Sequence, residues 1–108
     1  MLSRLELSGW LRENNLFYEF AGVKDFFPGS EIFVADLRQP LDPRVDFSLQ
    51  VRVIRIERIR DDGMVYYRQH PDGKEECFVP MRNFLVHETT VVLRHRKSAG
   101  VVSLKAVS

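Results

Sequence analysis

Two short turn sequences constrain the middle of this chain more than any other feature. Asp62-Gly63 and Pro71-Asp72-Gly73 combine a residue that hydrogen-bonds its own backbone with a glycine that accepts positive φ. They separate three runs, 49–59, 64–68 and 75–79, rich in Val, Ile, Tyr and Phe. Such residues favour the pleated, half-buried surface of a strand. Three strands joined by two tight turns form an antiparallel meander, and Asp62-Gly63 reads as a two-residue hairpin turn.

The flanking segments extend the β pattern. Phe27-Pro28-Gly29-Ser30 is a turn, and 31–37 reads as a strand with Ile32 and Val34 on one face and Phe33 and Ala35 on the other. Apolar residues on both faces predict a strand covered on two sides. Residues 39–46, with Pro40 and Pro43, read as an exposed loop. Within 49–59, Val51 and Val53 share one face while Ile54 and Ile56 share the other, which predicts a bulge or sharp bend. Pro80 ends the third meander strand, because it has no N–H for a ladder. Residues 81–85 read as one helical turn and 89–94 as a strand with one solvent-facing side. Ser98-Ala99-Gly100 then turns the chain into a last strand over 101–107.

Residues 1–27 are an extension ahead of this β unit. Ser3 and Glu6 fit a capping box, and Leu7, Trp10 and Leu11 fall near helical spacing. Gly9 and Asn14-Asn15 weaken that pattern, so a short helix over 8–15 competes with a hairpin turning at 13–15.

At 108 residues the chain is expected to be one domain, 1–108. A chain of this size buries about two-thirds of its unfolded surface, enough for a core without staples. The single cysteine excludes an internal disulfide framework. Arg4 and Glu6 interrupt any apolar leader, and no apolar run approaches a membrane span, so a cytoplasmic location without membrane contact is expected.

The order of strand, Pro-containing loop, meander, single helical turn and further strand resembles the SH3-like barrels, including Tudor and chromo-type modules. The matching residues run from Pro28-Gly29-Ser30-Glu31 through Val79-Pro80-Met81-Arg82-Asn83-Phe84-Leu85. The latter end is similar to the Pro-x-Asn-aromatic turn before the last SH3 strand, although Asn83 follows Pro80 by three positions. The aromatic-acidic motif and groove tryptophan of peptide-binding SH3 domains have no counterpart, so polyproline binding is not implied. The expected fold is therefore mainly β: a small SH3-like barrel over 28–108, ending in a C-terminal β-hairpin and preceded by the helical or hairpin extension.

The resemblance to Tudor-type modules raises an aromatic cage for a methylated cation, for which Tyr66, Tyr67, Phe78 and Phe84 could supply rings. Neighbouring strand residues point to opposite faces, so Tyr66 and Tyr67 cannot line one pocket. Core packing is the commoner use of such rings.

Charge supplies the remaining functional signal. The net +1 conceals a first half, 1–50, at −3 and a second half, 51–108, at +4; twelve of the sixteen cations are Arg. Arg52, Arg55, Arg58 and Arg60 punctuate one strand, and Arg94, Arg96 and Lys97 form a second cluster. Were the two clusters to lie side by side next to Tyr67 or Phe84, they would form a basic stripe able to track phosphates while rings stack on bases. The same surface suits acidic residues of a protein partner, or the acidic half of a second copy in a homodimer. Protein binding is the expected function, with nucleic-acid binding as the alternative.

Catalysis is the third alternative and rests on Cys77 with His87 as a dyad. Inside a strand, Cys77 reads more simply as a small buried hydrophobe. His70, His87 and His95 lack ligand spacing, and the six glycines form no phosphate loop, so no metal or cofactor is expected.

Overall fold

The two apolar faces of the segment 31–37 are both covered, and this decides the architecture. The computed structural model describes residues 1–96 of the chain. It consists of six antiparallel strands in one sheet and three short helices. The strands are β1 (Tyr18–Phe20), β2 (Glu31–Asp36), β3 (Arg52–Ile59), β4 (Met64–Gln69), β5 (Cys77–Pro80) and β6 (Thr90–His95). The helices are α1 (Arg4–Glu13), α2 (Phe47–Gln50) and α3 (Arg82–Leu85). The sheet order is β1-β6-β2-β3-β4-β5, open at β1 and β5.

Ile32 and Val34 enter a core with Ile54, Ile56, Val65 and Val92. Phe33 and Ala35 enter a second core on the opposite face, with Leu7 and Leu11 of α1, Phe47 of α2, and Val91 and Leu93 of β6. The sheet therefore lies between two apolar layers, and burial on both faces holds the layers together. The expectation that one side of β6 meets solvent is corrected: Val91, Val92 and Leu93 are all buried, because Val91 and Leu93 pack with α1 in the second core while Val92 enters the first.

Helix α1 wins over the hairpin alternative, and it begins at Arg4 rather than Ser8. Ser3 Oγ accepts from the Glu6 N–H at 3.0 Å, and Glu6 Oε1 accepts from the Ser3 N–H at 2.9 Å. This reciprocal pair satisfies two otherwise orphaned donors. It also holds the Glu6 carboxyl below its ordinary pKa, through hydrogen bonds from the Ser3 backbone and side chain. Asn14 and Asn15 serve as the stop, with Asn15 at φ 57°.

The meander is present with three adjustments. The β3–β4 loop spans 61–63 rather than two residues: the Arg60 N–H donates to Met64 O, and Gly63 takes φ 87°. This is the geometry of a three-residue loop ending in a left-handed glycine. The bulge of β3 falls between Ile56 and Arg58, beyond the expected place. Val51 and Val53 on one face and Ile54 and Ile56 on the other need no slip, because each pair serves its own core. The extra residue Glu57 is what returns Ile59 to the side of Ile54 and Ile56. Residues 49–51 are not strand: Asp46 caps α2 by accepting from the Ser48 N–H at 3.1 Å, which folds Phe47 into the second core. The turn at 98–100, the strand over 101–107 and Lys97 lie outside the described residues.

Candidate functional site

The bulge at Glu57 also aims the next outward residue. Arg58 stands opposite Tyr66, and Tyr66 opposite Phe78, so one cross-strand row runs over β3, β4 and β5 on the outer face. The second core draws nothing from β4 or β5, so none of the described helices covers this row. The Arg58 guanidinium sits 4.0 Å from the centroid of the Tyr66 ring, which attracts it through the ring quadrupole. The Tyr66 and Phe78 rings are 5.5 Å apart and tilted by 32°. Arg60 Nη1 donates to Tyr66 Oη at 2.9 Å, and Phe78 keeps 61% of its surface exposed.

Each cation in this row has a carboxylate. Arg58 pairs with Glu76 at 3.4 Å, and Arg60 with Asp62 at 2.6 Å. The hydrogen bond to Tyr66, with the Asp62 charge second, holds the Arg60 guanidinium above its ordinary pKa. The patch is thus aromatic at its centre and charge-balanced at its rim. It lies beside β5, whose outer edge is unpaired among the described residues.

The other expected site residues disperse. Tyr67 and Phe84 are buried at 8% exposure each and pack edge-to-face in the first core, so neither is a surface ring. As strand alternation predicts, Tyr66 faces out and Tyr67 in. Strand β2 separates β3 from β6, so the strand of Arg52, Arg55 and Arg58 is not adjacent to that of Arg94. Arg52 is exposed at the start of β3, and Arg55 sits between Glu31 and Arg68 in the cross-strand pairing. Arg94 is half-buried and tied to Glu19 and Asp25. Arg96 is exposed beyond the end of β6.

Cys77 is exposed, a correction to the buried reading, because its strand is the sheet edge. The hydrogen bond of His87 runs from the Thr89 N–H to its Nδ1, not to a thiol. His70 contacts Glu31 at 2.8 Å, and His95 packs on Tyr18. Among the described residues no group of three His, Cys, Asp or Glu side chains could hold a metal ion. None of the described helices is long and apolar enough to cross a membrane. Comparison with protein-family models, curated proteins and solved structures returns no significant match.

Beneath α1, Tyr18 packs on Phe33 at 4.9 Å and Phe47 at 4.6 Å. Burial, with the charges of Asp46 and Glu31 behind it, raises its phenol above the ordinary value of 10.0. A raised folded-state pKa means stability that is complete below the unfolded value and lost as pH climbs through the folded one. Denaturant midpoints are therefore expected to fall above pH 10.0. In Tyr18→Phe that alkaline loss should shrink, and a wild-type chain indifferent to this range would contradict the assignment.

Proposed function

We propose that this protein is a non-catalytic interaction module built on an SH3-like barrel, and that it binds a protein partner through the Tyr66–Phe78 patch and the edge of β5. The chain order of strand, loop, meander, helical turn and further strand is the one the resemblance rests on, and the pairing of β6 back onto β2 supports the barrel reading. The observation that carries the functional reading is the exposed Phe78 ring, stacked on a tyrosine that two arginines fix. Exposed aromatic rings with a charged rim mark protein contact surfaces, where Tyr, Phe and Arg are enriched. An unpaired edge strand adds backbone donors and acceptors for an incoming strand. Pairing of Arg58, Arg60 and Arg94 with carboxylates weighs against a phosphate track.

Phe78→Ser tests the reading, because substitution at so exposed a position shifts stability by only about 0.5 kcal/mol. A partner, or a second copy seen by sedimentation, should bind wild type and lose about 2 kcal/mol of affinity to the variant. A strictly monomeric chain that retains no protein partner would overturn the proposal. Oligonucleotide binding that falls steeply with salt would replace it with the nucleic-acid alternative.

A further inference from the structure

A cleft away from the β5 edge lies where α1 crosses the other end of the sheet. The chain leaves α1 through Asn14 and Asn15, and the Leu16 N–H returns to Leu11 O at 2.9 Å, closing one end of the crossing. Toward the other end, the Arg4 guanidinium lies 4.4 Å over the Phe20 ring. Between them is a cleft of about 360 Å³, within the range of roughly 300–1,000 Å³ typical of small-ligand sites.

Its lining combines apolar residues, among them Leu16, Phe17 and Phe20, with Arg12 and Arg96. Both arginines are exposed, and neither has a carboxylate partner among the described residues. The one carboxylate in the lining, Glu19, is already held by Arg94. Ser8 adds a hydroxyl. The cleft therefore offers two uncommitted cations and no uncommitted anion above an apolar floor. Phe17 keeps 59% of its surface exposed at this place, so apolar area remains to be covered.

We infer that this cleft binds a small organic anion, a carboxylate on an apolar tail, with Arg12 and Arg96 taking the carboxylate and Phe17 and Phe20 the tail. Planar guanidinium is suited to carboxylate, and the charge-assisted hydrogen bonds formed there are stronger than neutral ones. The site shares no residue with the β5 patch, so the two readings stand or fall separately.

Octanoate is the probe, titrated into the full chain and followed by amide NMR, with octanol as its uncharged counterpart. Octanoate should shift the amides of Ser8, Arg12 and residues 16–20 saturably, and octanol should bind about tenfold more weakly. The double variant Arg12→Gln/Arg96→Gln should reduce octanoate affinity about tenfold and leave octanol binding unchanged. Arg52→Gln/Arg55→Gln, which removes exposed cations elsewhere, should change neither. Absence of saturable shifts, equal binding of octanoate and octanol, or an equal loss in the Arg52/Arg55 variant would each overturn the inference. The octanoate–octanol comparison on wild type holds even if a variant fails to fold.

Discussion

Replacing Phe47 with alanine is expected to remove about 3–5 kcal/mol of stability, the usual cost of truncating a buried aromatic. Phe47 is 1% exposed, and its ring meets Tyr18 at 4.6 Å and Trp10 at 6.2 Å. It reaches this place only because Asp46 caps α2 and turns the preceding loop inward. A native domain holds about 5–15 kcal/mol in total, so the loss would leave α1 and the sheet marginally attached. Phe47→Leu, closer in volume, should cost about 1 kcal/mol. Denaturant midpoints give the energies, and the emission of the single tryptophan, Trp10, reports the same cavity before unfolding. A Phe47→Ala variant as stable as Phe47→Leu would show that α2 does not belong to the core.

The second large effect comes from one methyl group. Gly73 donates its N–H to Gln69 O at 2.6 Å in the β4–β5 turn. A Cβ at this position would collide with the oxygen, nitrogen and Cα of Gln69. All three are backbone atoms, so no side-chain rotation relieves the contact. Gly73→Ala is expected to cost about 3 kcal/mol, at the upper end for overpacking, and to raise hydrogen exchange in β5 first. The same substitution at Gly9 should do the reverse. Gly9 lies inside α1 with nothing within 4 Å of the added carbon, so alanine there stabilises by about 0.5–1 kcal/mol. Equal effects at the two glycines would contradict the turn geometry.

Features governed by neighbours in sequence were legible before the structure. The capping box at Ser3 and Glu6, the two meander turns and the helical turn α3 all rest on contacts within a few residues, and the alternation of 31–36 marks both faces of β2 as apolar. Features set by distant partners were not legible. Tyr18 pairs with His95, which makes β6 an interior strand of the sheet, and the two cores cover both of its faces. Phe47 was hidden because 39–46 reads as loop, although Asp46 before Phe47 and Ser48 is a capping signal.

The candidate site shows the same division. Alternation separated Tyr66 from Tyr67, but periodicity alone does not say which face is wet. The second core decides it, by drawing nothing from β4 or β5 and leaving Tyr66 uncovered. A strand position alone reads Cys77 as a small buried hydrophobe, but strand order is set by distant pairing, and β5 ends the described sheet. Arg58 and Arg60 could be named from sequence, but their engagement with Tyr66, Glu76 and Asp62 depends on a bulge and a loop.

The position of β6 in the sheet sets the order in which the molecule can be made. It is the last strand of the described chain, yet it lies between β1 and β2 and supplies Val92 to one core and Val91 and Leu93 to the other. During synthesis the meander can pair as it emerges, while β2 waits with an open edge and α1 waits without its floor. Neither apolar layer is complete until residues 90–95 have left the ribosome. A chain stopped before Thr90 would therefore present two unfinished cores and a free strand edge at once, making it a substrate for chaperones rather than a smaller version of the fold.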